Sequence, residues 1–161
     1  PKGDRVFDHE ASPGQGAAVY TTQYEISEEQ LRQLWEFYFD CWWTAERSEA
    51  EARAIIAASH VTVLLETATG RVVGFARILT DGVVYGYIAD VMVRPELRST
   101  GLGRLLMAAV VAHPTLAQVR KVELTCRPEM DGFYARFGFH EPASGSHALR
   151  RDHRSGPYVA P

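Results

Sequence analysis

The run from Ala89 to Leu106 constrains this chain more than any other segment. It opens as an apolar strand, Ala89 to Val93, leaves through Pro95, passes a glycine-containing loop and enters an amphipathic helix at Leu102. A strand that feeds glycines into a helix start builds an anion site. The first helical N–H groups have no intrahelical acceptor, and the positive end of the helix dipole adds to their attraction. Glycine lacks a Cβ, so the loop turns sharply and a ligand can approach the backbone. The segment therefore predicts a phosphate-bearing ligand.

Two familiar phosphate loops do not fit. A dinucleotide fingerprint needs a third glycine, and Leu106 stands there; a P-loop needs Lys and Ser or Thr after its last glycine, and Arg104 and Leu105 follow Gly103. What remains is R-x-x-G-x-G, formed by Arg98, Gly101 and Gly103. This resembles the acetyl-CoA pyrophosphate loop of the GNAT N-acetyltransferase superfamily. The same family follows its loop with a helix, a fifth strand and a short helix bearing a tyrosine. Here Val122 to Cys126 reads as that strand, and Gly132 to Phe139, with Tyr134 and Gly138, resembles the tyrosine helix and its closing glycine. The resemblance covers roughly Val19 to Arg151.

The 161 residues fit one domain, and 46% hydrophobic content suffices for a core. A net charge of −3 argues against a nucleic-acid footprint. Arg94, Arg98 and Arg104 surround the loop and are read as a basic rim for phosphate. Cys41 and Cys126 have no metal spacing and read as reduced thiols of a cytoplasmic protein, and His60 and His113 show no ligand pattern, so no metal is expected. No apolar run is long enough for a membrane span.

Residues 1–18 read as a flexible leader, 19–151 as the domain and 152–161 as a tail. Val19 to Ile26 is expected to be a strand. Ser27 to Gln30 and Ser48 to Glu51 are capping boxes that open two helices. His60 to Thr67 and Arg71 to Thr80 form a hairpin, and Asp81-Gly82 signals a two-residue turn into Val83 to Val93. The helix from Leu102 stops before Pro114, and Ala148 to Arg151 is expected to be a last short strand. Consecutive hairpins pair antiparallel, whereas a helical crossover joins parallel neighbours. The expected class is α/β. The resemblance implies a mixed, mostly antiparallel sheet, flanked by helices and splayed between its fourth and fifth strands.

The resemblance also implies acetyl transfer from acetyl-CoA to an amine by direct attack. Val91, Met92 and Val93 would contact the pantetheine arm through their backbone, and Arg98, Ser99, Thr100, Gly101, Leu102, Gly103 and Arg104 would bind the pyrophosphate. Tyr134 falls on the family's general-acid tyrosine. The base carries no motif. Asp90, an acid within an apolar strand, is either functional or a hydrogen-bonded structural group, and Glu123 is either a base or a solvent-facing strand residue. Trp42, Trp43, Tyr85 and Tyr87 are candidates for the acceptor wall. The acceptor is expected to be a small-molecule primary amine. A protein or peptide acceptor, and a non-catalytic acyl-CoA sensor, are the alternatives. A homodimer is left open.

Overall fold

The computed structural model describes residues 5–7, 18–41, 43–44 and 46–142. Its strands are β1 (Arg5–Phe7), β2 (Tyr20–Gln23), β3 (His60–Glu66), β4 (Arg71–Thr80), β5 (Tyr85–Val93) and β6 (Lys121–Leu124). They form one sheet in sequence order; β5 and β6 are parallel and every other pair is antiparallel. The three-residue β1 sits at the edge, within the stretch read as a leader. The expected strand at Ala148 to Arg151 lies outside the described residues.

Helices α1 (Glu28–Tyr38) and α2 (Glu49–Ala57) begin at the two capping boxes. Ser27 Oγ accepts from Gln30 N–H while Gln30 Oε1 accepts from Ser27 N–H; Ser48 and Glu51 repeat the exchange. Leu31, Leu34, Phe37 and Tyr38 of α1 and Ala52 and Ile56 of α2 pack on Val61, Val63, Phe75 and Met92 of the sheet. On the opposite face, α3 (Leu102–Val111) packs Leu102, Leu106 and Val110 onto Leu64, Val73, Ile78 and Ile88. The short α4 (Asp131–Tyr134) and the 3-10 turn Ala135–Phe137 stand where one tyrosine helix is expected.

One turn differs from expectation. A four-residue loop, not a two-residue turn, joins β4 to β5. Asp81 Oδ1 accepts from the backbone N–H groups of Val83, Val84 and Tyr85, so a single carboxylate organises the longer loop.

Two irregularities of β5 position the site. Phe75 faces Met92 and Arg77 faces Ala89, so Ala76 alone stands opposite both Asp90 and Val91. This is a β-bulge, and Asp90 occupies it at φ +50°. The extra residue reverses the alternation: Ile88 packs under α3, while Met92 packs under α1. The second irregularity is the splay. Pairing between β5 and β6 runs from Tyr85↔Lys121 to Ile88↔Leu124 and stops there. From Ala89 to Val93, β5 keeps β4 on one side and, among the described residues, meets no strand on the other.

Candidate active site

The open edge of β5 leads directly to the glycine loop. Arg94 leaves the strand, Pro95–Leu97 forms one 3-10 turn, and Gly101 caps α3 at φ +97°. Gly101 has no side chain to cap that helix, whose first N–H groups have no intrahelical acceptor. Ser99 is also left-handed, at φ +63°, and Thr100 Oγ1 donates to Leu97 O at 2.6 Å. Arg98 and Arg104 are exposed around the loop. Arg98 Nε also lies 3.3 Å from Val93 O. These features suit a pyrophosphate at the helix start and an extended amide-bearing arm along β5.

Arg94 does not belong to the basic rim. It is buried beneath α1, where Nε donates to Val72 O at 2.6 Å, Nη2 pairs with Glu36 at 2.6 Å, and its guanidinium lies 4.9 Å from the Phe37 ring centroid. It pins α1 to the sheet. The bulge explains the difference, because it alters which face each later β5 residue addresses.

Tyr134 projects into the apolar layer that also holds Val91 and Leu124, one from each arm of the splay. Its ring stands against Phe133 at 5.0 Å and Phe139 at 6.2 Å. Phe133 in turn lies against Gly103 at the start of α3. Burial, and then the nearby Cys126, push the Tyr134 hydroxyl up to about 12. It is a protonated hydrogen-bond donor across the neutral range. Cys126 donates from Sγ to Asp131 Oδ1 at 3.5 Å, and burial followed by that contact raises its thiol above the ordinary range. A thiol so held is a poor nucleophile.

Asp90, one of the two base candidates, sits in a buried ion network. Its side chain is 3% exposed, and Oδ2 accepts from Arg77 Nε at 2.7 Å, Arg47 Nη1 at 2.7 Å and the Tyr38 hydroxyl at 3.1 Å. Burial pushes the carboxyl up, but the bonds from Arg47 and Arg77 outweigh it and hold it below the usual carboxylate range. A carboxylate paired with two guanidinium groups suits the structural alternative and disfavours proton abstraction. The Tyr38 hydroxyl, donating to Asp90, also accepts from Arg47 at 2.6 Å; burial and then Asp90 push it up to about 12. Of this network only Asp90 was singled out from the sequence as a functional candidate. The available signal for Arg77 was a lone charge in the apolar run Val72 to Leu79, opposite a lone acid in the next strand.

Glu123 stands on β6 in register with Tyr87, at the last row but one before the splay. It is exposed, as are Tyr85, Tyr87 and Trp43. The Tyr87 hydroxyl donates to Thr125 Oγ1 at 2.9 Å, and Lys121 Nζ lies 5.5 Å from the Tyr85 ring centroid. These groups occupy the face of the sheet opposite Tyr134, so the splay separates a tyrosine side from a carboxylate side. Trp42 lies outside the described residues. None of the helices among those residues is long and apolar enough to cross a membrane.

Comparison with known proteins agrees with this geometry. The chain is 36% identical over 96 residues to serotonin N-acetyltransferase 2, chloroplastic, of Oryza sativa subsp. japonica, a match covering 58% of this chain and 48% of that one. It is 34% identical over 105 residues to glucosamine 6-phosphate N-acetyltransferase 1 of the same organism, covering 60% of this chain and 63% of that one. The chain thus matches less than two-thirds of the length of either relative. Among solved structures, a GNAT-family protein from Xanthomonas campestris pv. campestris superposes with a TM-score of 0.66 at 27% identity, covering 80% of this chain and 93% of that one. The acetyltransferase (GNAT) domain family matches residues 22–149, a span that begins within β2 and extends past α4, and the chain belongs to that family.

Proposed function

We propose that this chain transfers an acetyl group from acetyl-CoA to the primary amine of a small molecule, by direct attack within a ternary complex. The observation that carries the reading is the edge of β5 from Ala89 to Val93, unpaired among the described residues, which runs into the start of α3 at Gly101. The edge offers backbone groups to pantetheine, as another strand would, and Arg98 through Arg104 offer backbone N–H groups to pyrophosphate.

The reaction needs a neutral amine and a stabilised leaving sulfur. An aliphatic ammonium near pKa ~10.4 must lose a proton before its nitrogen attacks. Glu123 is the carboxylate that adjoins the splay without a buried ion pair, and we assign it as the group that receives that proton, directly or through water. The C–N bond then forms as the C–S bond breaks, and the second nitrogen proton leaves to the CoA thiolate or to water. Tyr134 donates a hydrogen bond to the departing sulfur. Full transfer from a phenol near 12 to a thiolate near ~8.5 is uphill, so Tyr134 acts chiefly by stabilising sulfur charge. Asp90 keeps the bulge and thereby the strand edge in place.

The test is release of CoA thiol from acetyl-CoA with a panel of primary amines and peptides, alongside thermal unfolding with CoA. Turnover on a small amine with identified N-acetyl product supports the proposal. CoA-dependent stabilisation without turnover on any amine overturns it in favour of a sensor, and turnover confined to peptides overturns the small-molecule assignment.

A further inference from the structure

We infer that the acceptor is an elongated primary amine with an apolar body, lying in a trough that runs across the sheet from Glu123 over Tyr87 and Leu79 to a depression beneath α2. This rests on the acyl-transfer reading above and specifies its acceptor.

Strand register builds the trough. Leu79 pairs with Tyr87, and Tyr87 pairs with Glu123, so the three side chains form one row on one face of the sheet. Adjacent strands lie ~4.8 Å apart, which makes the row about 10 Å long. Leu79 is 40% exposed and Tyr87 37% exposed, although both stand on a sheet face that α1 and α2 cover elsewhere. An uncovered apolar row beside a reaction site marks a binding surface.

The two ends differ in chemistry. At the near end, Glu123 adjoins the point where β5 and β6 part, and Thr125 fixes the Tyr87 hydroxyl at 2.9 Å. A carboxylate and an aromatic face both attract an ammonium group. At the far end, a depression of about 420 Å³ lies between α2 and β4 and is walled by Ile55, Ala58 and Leu79, with Arg47, Glu51 and Arg77 also facing it. That volume suits one small-molecule moiety. Both arginines turn to Asp90, and Glu51 accepts from Ser48. The surface left for the body of a ligand is therefore aliphatic and aromatic. The amine sits at Glu123, the body crosses Tyr87 and Leu79, and the far end enters the depression.

The test compares kcat/KM at saturating acetyl-CoA for alkyl- and arylalkyl-amines of increasing length and for a hexosamine 6-phosphate, using the full chain and its Leu79→Gln variant. We expect kcat/KM to rise at least tenfold, roughly the value of a few buried carbons, between a two-carbon amine and one that reaches ~10 Å. Leu79→Gln should remove that gain, so that the long amines fall to the level of the two-carbon amine. Amine turnover with no length dependence, or an equal loss on every amine in Leu79→Gln, overturns the trough and leaves the acetyl transfer standing. Preference for the hexosamine phosphate overturns the apolar body and points to Arg47. No turnover on any amine overturns both readings.

Discussion

Arg77 Nε donates to Asp90 Oδ2 at 2.7 Å across the β4–β5 pair, within the bulge of β5. The Arg77 side chain is 10% exposed and that of Asp90 3%, so each charge depends on the other for compensation. Asp90→Asn keeps a side chain that tolerates the left-handed backbone but leaves two guanidinium groups around a neutral amide. We expect it to lose about 3–5 kcal/mol of stability, measured by urea unfolding at pH 7. A loss below 1 kcal/mol would show that Arg47 and Arg77 relax into solvent.

The same ion network sets an acid limit. The native Asp90 carboxyl titrates below its unfolded counterpart, which lies near ~3.9. Its contribution is whole above that value and is lost as the pH falls through the lower native pKa. The stability gap between the natural chain and Asp90→Asn should therefore stay constant from pH 7 to 5 and narrow below about pH 3.9. A gap that already narrows between pH 7 and 5 would mean that the native carboxyl is raised, contrary to the two-arginine geometry.

Much of this fold could be read from local chemistry, because capping boxes, apolar periodicity and the glycine loop act within a few residues. The bulge could not. Ile88 and Met92 have the same parity along the strand, and only the tertiary environment sends them to opposite layers. Once the bulge is present, Asp90 turns toward α1, and Arg94 goes beneath that helix rather than to the loop. Arg47 reaches Asp90 from 43 residues away, and the row Leu79–Tyr87–Glu123 spans three strands. Such pairings depend on register between distant segments, which no local motif encodes. The short helix that carries Tyr134 was legible because its motif is local.

Tyr134→Phe removes one hydroxyl and preserves the ring contacts with Phe133 and Phe139. Loss of a single donor to the leaving sulfur should lower kcat about 10²-fold while the KM for acetyl-CoA stays nearly unchanged. Because burial holds the hydroxyl near 12, its ionisation should contribute no limb to the pH–rate profile between pH 6 and 10. Steady-state rates for both proteins across that range check each point, and unchanged kcat in the variant removes Tyr134 from the chemistry.

Cys126 should not carry the acetyl group. Burial and Asp131 raise its thiol, so little thiolate exists at neutral pH. Cys126→Ser should keep turnover within an order of magnitude of the natural chain, and intact-mass spectrometry after mixing with acetyl-CoA should find no acetylated protein. Iodoacetamide labelling of Cys126 should show an apparent pKa above ~8.5. A 42-Da adduct that disappears in Cys126→Ser would establish a covalent route instead.

Gly101 and Gly70 allow conformational cost to be separated from ligand binding. Both are left-handed, at φ +97° and +67°, but Gly101 caps α3 and Gly70 sits in the β3–β4 turn, outside the segment Arg98 to Arg104. A Cβ at Gly70 would meet no atom within 4 Å, so strain alone opposes alanine there. Each Gly→Ala change should cost about 1–2 kcal/mol of folding stability, because L side chains disfavour this backbone region by that amount. Only Gly101→Ala should also weaken acetyl-CoA, since relief of strain at that position turns the first N–H groups of α3 away from the pyrophosphate. The check is the KM for acetyl-CoA beside the urea midpoint for both variants. Equal losses of stability with a raised KM in Gly101→Ala alone place the anion at the helix start, and an unchanged KM in both removes it from there.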